Sequence, residues 1–180
     1  MRDEEAKREF ARLYRDHSSA IKRYALRRLD NVANCDDLVS ETFLVAWRRW
    51  DDAPTPDRRL PWLYGIAYRN LSNMRRSRDR QHRLEMRLTL ERDFTDEADD
   101  KGVSVAHVQR AIARLRVSDR ELLEFVYWEK LTYRDIATII GISENAVGIR
   151  VNRARKHLRS ILSLSTDDVA NPNRREEFES

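Results

Sequence analysis

Apolar residues return every three or four positions between Glu4 and Leu29, as Phe10, Leu13, Tyr14, His17, Ile21, Tyr24 and Ala25. That spacing gives a helix with one buried stripe. Asn31 to Asn34 interrupts the pattern, and a second helix is expected to start at Asp36 or Asp37. A carboxylate there serves the unbonded N–H groups and the positive end of the helix dipole. Its sequence, DDLVSETFLVAWRRW, puts Val39, Phe43, Ala46, Trp47 and Trp50 on one face. Three of the four prolines then fall within DDAPTPDRRLP, so Asp51 to Pro61 reads as a loop.

A third helix is predicted in WLYGIAYRNLSNMRRSRDRQ, from Trp62 onward. With Ala67 centred on the buried arc and about 100° per residue, Leu63, Leu71 and Met74 join it. Trp62, Arg69, Ser72, Asn73 and Arg76 fall on the opposite side. Beyond about Arg83 the chain turns acidic and loses its apolar stripe, which reads as a linker. Helical spacing resumes with Val105, Val108, Ile112 and Leu115. SDRE, from Ser118 to Glu121, has the spacing of a capping box ahead of Leu122, Leu123 and Val126. From Ser165 the tail lacks enough apolar residues to fold alone and reads as disordered.

Between these last segments lies YRDIATIIGISENAVGIRVNRARKHLR, Tyr133 to Arg159. Thr132 and Asp135 again have capping-box spacing, Gly141 stands where a helix stop needs positive φ, and Ser143 suits the next N-cap. Helix, short glycine turn and helix make a helix-turn-helix. In its second helix Val147, Val151, Ala154 and Leu158 form the buried stripe. Asn145, Ile149, Asn152 and Lys156 point away, with Arg153 beside them. Amides can pair with adenine edges, arginine with guanine or phosphate, and an aliphatic side chain with a thymine methyl, so this face suits the major groove. Gly148, inside the helix, either allows close approach to DNA or is tolerated at a cost of about 1 kcal/mol.

Charge sharpens this picture. The net charge is only +4, but Arg69 to Arg83 holds six arginines against Asp79 alone, and Gly148 to Arg159 holds five cations and no acid. Glu91 to Lys101 between them holds six acids. Two basic segments thus flank an acidic one, a distribution suited to a polyanion bound at two places. Four glycines and four prolines in 180 residues favour helices over hairpins, and almost no sheet is expected. Cys35, the single cysteine, excludes an internal disulfide and reads as a small buried residue. No histidine has ligand spacing with it, so neither metal nor cofactor is assigned. The N-terminus lacks the apolar core of a signal peptide and no apolar run is long enough to span a bilayer, so a cytoplasmic protein without membrane insertion is expected.

CDDLVSETFLVAWRRW, then LPWLYGIAYRNLSNMRR, and after the linker SDRELLEFVYWEKLTYRDIATIIGISENAVGIRVNRARKHLR resemble, in order and spacing, the extracytoplasmic function (ECF) class of bacterial RNA polymerase sigma factors, of the sigma-70 family. The resemblance implies an all-α protein of two small helical domains joined by a flexible linker. A sigma-2 domain would occupy residues 1–83, the acidic linker 84–104, a sigma-4 domain with the helix-turn-helix 105–164, and a disordered tail 165–180. It further implies a non-enzymatic subunit that directs core polymerase to promoters by reading minus 35 and minus 10 elements. Its partners would be core RNA polymerase, through the β′ clamp and the β flap, promoter DNA and an anti-sigma factor.

Residue by residue, the resemblance puts polymerase docking on Asp37, Ser40, Glu41, Leu44 and Arg48. It puts the minus 10 contacts on Trp62, as a wedge against the melted edge, and on Arg69, Asn73, Arg75, Arg76 and Arg78. The minus 35 contacts fall on Asn145, Ile149, Asn152, Arg153 and Lys156. The family's base-capturing loop corresponds to DDAPTPDRRLP, which departs from the commoner F-R-G-D type. A linker of about 20 residues reaches at most about 70 Å, roughly two turns of DNA, which suits two separated elements.

Two other classes compete on the residues alone. A stand-alone repressor or activator would use the same helix-turn-helix and bind an operator tightly without polymerase. A nuclease built on Asp36, Asp37 and Glu41 would need a paired His or Lys, which the sequence around them does not supply.

Overall fold

The structure is a computed structural model that describes residues 2–29, 31–86, 108 and 111–170. The described residues form helices joined by turns and short connecting segments, and no strand occurs among them. The chain divides into two compact units near residue 92.

The first unit contains α1 (Arg2–Leu26), α2 (Val32–Arg48) and α3 (Arg59–Met86), each packed against the other two. Leu13, Ile21, Tyr24 and Ala25 of α1 meet Leu38, Phe43 and Ala46 of α2 and Leu63, Ile66, Ala67 and Leu71 of α3 in a buried core. Thr42 is polar yet fully buried, and its hydroxyl donates to the Leu38 carbonyl at 2.6 Å, which removes the cost of burying it. Cys35 is buried, as its neighbours predict. At one end of this unit the Phe10 ring stands edge-on to Trp47 at 5.0 Å and to Trp50 at 5.4 Å. Arg59, only 14% exposed, closes the cluster by donating to Glu9 at 3.0 Å while its guanidinium lies 5.0 Å from the Trp50 ring.

The second unit contains α4 (Val117–Tyr127), α5 (Tyr133–Ile140) except Thr138–Ile140, which group with the first unit, and α6 (Glu144–Ala170). Ala111, Leu115, Leu122, Leu123, Phe125, Leu131, Ile136, Val147, Val151 and Ala154 are buried in it.

Several boundaries differ from the sequence reading, each for a local reason. α2 starts at Val32, not at Asp36 or Asp37, because the Asn31 side chain accepts from the Ala33 N–H at 2.8 Å and its carbonyl from Cys35. Asn caps as well as Asp, so the earlier cap prevails. Two single-turn 3-10 segments, Trp50–Asp52 and Pro56–Arg58, lie in the proline-rich stretch. α3 begins at Arg59 with Pro61 in its first turn, where a missing N–H is not needed.

The SDRE capping box does not form. α4 starts at Val117 because the Arg116 carbonyl already accepts from Asp119 and Arg120, which places Ser118 inside the first turn and Glu121 in the buried side. α6 continues to Ala170, past Ser165 where the tail was expected to begin. A helix that is already nucleated gains a hydrogen bond per added residue and needs no apolar stripe to extend. The acidic linker and residues 171–180 lie outside the described residues, apart from the end of α3.

Candidate nucleic-acid interface

The helix-turn-helix is built from local interactions. Thr132 Oγ1 accepts from the Asp135 N–H at 3.2 Å while the Thr132 N–H donates to Asp135 Oδ2 at 3.3 Å, and the Thr132 hydroxyl donates to the same oxygen at 2.6 Å. That reciprocal box starts α5 at Tyr133. Gly141 ends it at φ 73°, the left-handed conformation that a Cβ disfavours. Ser143 Oγ then accepts from the Ala146 N–H at 3.2 Å and opens α6.

Val147, Val151 and Ala154 are fully buried, and Leu158 is half-buried at the edge of the stripe. The opposite face is open: Asn145, Ile149, Asn152, Arg153 and Lys156 are all exposed. Ile149, 54% exposed, is an aliphatic side chain on an otherwise polar face. Gly148 does not share that open face. It is half-buried, and a Cβ built on it would touch the Tyr133 ring of α5 at 3.6 Å.

On α3 the basic run separates into two sets. Arg69, Asn73, Arg76 and Arg78 are exposed, whereas Trp62 and Arg75 are half-buried. A single-stripe projection puts Trp62 on the side opposite the buried arc. α3 packs against α1, α2 and the Pro56–Arg58 turn, so its buried arc is wider than one stripe and takes in Tyr64 and Ile66 as well. Arg76 is oriented by its own helix, with Nε on the Ser72 carbonyl at 3.2 Å and Nη2 on Asn73 Oδ1 at 2.9 Å.

On α2, Asp37, Ser40, Glu41, Leu44 and Arg48 are all exposed, and Leu44 is 42% exposed. Their steps of three and four along the helix align them on one side. The structure adds a feature the sequence did not indicate. Asp37, Ser40, Glu41 and Leu44 form one wall of a groove of about 570 Å³ whose other wall is Asn70, Asn73 and Met74 of α3. Met74, assigned to the buried stripe, is instead half-buried in this wall. Among the described residues, no group of three or more His, Cys, Asp or Glu side chains is placed to hold a metal, and no helix is long and apolar enough to cross a membrane.

Residues 13–81 match the family described as Sigma-70 region 2, and residues 106–158 match Sigma-70, region 4. The ECF RNA polymerase sigma factor SigL of Mycobacterium tuberculosis is 30% identical over 156 residues, covering 83% of this chain and 86% of SigL. RNA polymerase sigma factor NccH of Alcaligenes xylosoxydans xylosoxydans is 26% identical, covering 87% of this chain and 88% of NccH. CnrH in complex with the cytosolic domain of CnrY aligns with a TM-score of 0.62 at 27% identity, over 88% of this chain and 90% of that one. The sigma factor RpoE of Bartonella quintana, solved with the anti-sigma factor NepR, shares the fold at a TM-score of 0.68 and 22% identity, over 86% of this chain and 97% of that one. With both family segments in order, and a 30% identical relative matched over most of its length, the chain belongs to the ECF class of bacterial RNA polymerase sigma factors.

Proposed function

We propose that this sigma factor holds its promoter with two separate faces and its polymerase with a third. The exposed face of α6, Asn145, Ile149, Asn152, Arg153 and Lys156, reads the minus 35 element in the major groove. Arg69, Asn73, Arg75, Arg76 and Arg78 of α3 follow the minus 10 strand, with Trp62 at its upstream edge. Asp37, Ser40, Glu41, Leu44 and Arg48 of α2 dock on the β′ clamp, and the sigma-4 domain meets the β flap. The domains take residues 1–83 and 105–164, joined by 84–104. The observation that carries this reading is the simultaneous exposure of all five α6 residues opposite a fully buried Val147, Val151 and Ala154 stripe.

The division of labour follows from electrostatics. Polymerase holds DNA mainly through phosphates, which carry no sequence information, so a subunit must add base contacts and keep separated strands apart. Arginines on α3 supply charge for a single strand, and aromatic faces replace lost stacking. Sigma factors are in general non-catalytic, and this chain is read as acting without bond chemistry, in the cytoplasm. RpoE and CnrH were each solved with a partner, NepR, an anti-sigma factor, and the cytosolic domain of CnrY. By likeness this chain has a protein inhibitor too.

The experiment compares DNA binding with and without core polymerase. The proposal predicts weak promoter binding by the free protein and a protected minus 35 and minus 10 footprint once core is added. Tight binding of the free protein to a palindromic operator would replace it with the repressor reading.

A further inference from the structure

Few side chains at the start of α6 are placed to meet a base. In a helix-turn-helix the N-terminal residues of the second helix contact the base edges. The first two turns of α6 run from Glu144 to Arg150. Within them Val147 is fully buried, and Ala146 and Gly148 are half-buried. Glu144 and Arg150 are exposed but lie about 60° from Val147, one on each flank of the buried stripe. Asn145 and Ile149 remain as the outward pair.

Ile149 holds the centre of that face, about 160° around the helix from Val147. Asn145 stands one turn before it, and Asn152 and Arg153 one turn after, all exposed. Gly148 beside it has no side chain, and the place of its missing Cβ borders the Tyr133 ring at 3.6 Å. Position 148 therefore adds neither donor nor acceptor next to Ile149. An isoleucine side chain cannot hydrogen-bond, so a polar base edge pressed against it loses water and gains nothing in return. In the major groove thymine alone presents a methyl group.

We infer that this sigma factor selects a thymine in the minus 35 element by its C5-methyl group, packed against Ile149. The inference rests on the reading that the exposed face of α6 lies in the major groove of that element, and it names the base chemistry at the centre of the face. At a rise of about 1.5 Å per residue, Ile149 lies about 6 Å along the axis from Asn145 and about 4.5 Å from Asn152. Both steps exceed the roughly 3.4 Å between base pairs, so Ile149 meets a pair of its own between those of the two amides.

The test uses holoenzyme, formed from core RNA polymerase and the full chain, and the minus 35 element it selects from a randomised library. Each thymine of that element is replaced singly by deoxyuridine, which lacks only the methyl group. Affinity is measured by competition for wild type, Ile149→Ser and Asn152→Ala holoenzymes. At one thymine the deoxyuridine duplex should bind wild type about three- to fivefold more weakly, as expected for one buried methyl. Ile149→Ser, a change at an exposed position, should bind the thymine and deoxyuridine duplexes equally there. Asn152→Ala should keep the methyl effect and lose discrimination at a different base pair.

A selected element without thymine, no deoxyuridine that weakens wild type, or a methyl effect that persists in Ile149→Ser overturns this inference alone, when Asn152→Ala still loses discrimination. If no element is selected, or neither variant alters minus 35 preference, the major-groove reading of α6 falls and this inference with it.

Discussion

Arg76 is tied to Asn73 one helical turn before it, Nη2 to Oδ1 at 2.9 Å, on the exposed side of α3. The guanidinium is thereby held along the helix, which, on the proposed strand contact, lowers the entropy lost on binding. Removing the charge and removing the tether therefore have different signatures. In assembled holoenzyme, Arg76→Ala should lower the salt dependence of forked-DNA binding by about 0.7 in log–log slope, the value for one single-strand phosphate. Asn73→Ala should weaken the same binding while leaving the slope near wild type, because the charge remains. A salt titration of both variants checks this.

The two glycines of the helix-turn-helix should respond to alanine with opposite signs. Gly141 sits at φ 73° with nothing within 4 Å of a built Cβ, so the cost of Gly141→Ala is purely conformational, about 1 to 2 kcal/mol. Gly148 is helical, and its Cβ would rest on the Tyr133 ring at 3.6 Å in ordinary contact. Gly148→Ala should therefore stabilise by about 0.5 to 1 kcal/mol. Thermal melting of the two full-length variants should move in opposite directions, by a few degrees each.

α5 is short, eight residues, and depends on its start. Helices of this length hold poorly without caps and tertiary contacts. Thr132→Ala removes the two hydrogen bonds of the Thr132 hydroxyl, leaves the Thr132 N–H on Asp135, and should cost about 1 kcal/mol. Thr132→Ser should retain most of that, and chemical denaturation of the two variants separates them.

Arg59 joins elements far apart in sequence, pairing with Glu9 at 3.0 Å across 50 positions. The pair is half-screened, since Glu9 is about half exposed while Arg59 is largely covered. Arg59→Ala removes the ion pair and the cation over Trp50, and should destabilise by about 1 to 2 kcal/mol. Glu9→Gln should cost well under 1 kcal/mol, as expected of a solvent-exposed partner. Tryptophan fluorescence during urea unfolding reads both.

What the sequence disclosed and what it hid follow from the range of the interactions. The turn from Thr132 to Ser143 was legible because its cap, its left-handed glycine and the next cap are each set within four residues. The Val147, Val151 and Ala154 stripe was legible because one helix face is buried against one core. The start of α2 is not legible in the sequence, because Asn31 and Asp36 are equally good caps and only the finished helix distinguishes them. The half-burial of Trp62 and Met74 is not legible in the sequence, because α3 packs on two helices and a turn, which no single-stripe projection represents. The groove between α2 and α3 carried no signal at all, since it exists only once the two helices meet. The Glu9 to Arg59 pair is hidden for the same reason.

The most direct measurement is run-off transcription by core RNA polymerase on a promoter library, with wild type, Glu41→Lys, Arg76→Ala and Asn152→Ala. The account predicts promoter-specific transcripts with wild type and none with core alone. Glu41→Lys should fail to co-purify with core, Arg76→Ala should bind core yet form few open complexes, and Asn152→Ala should lose discrimination at the minus 35 element alone. Equal transcription from all four proteins, or promoter-specific transcripts that do not require this chain, would contradict it.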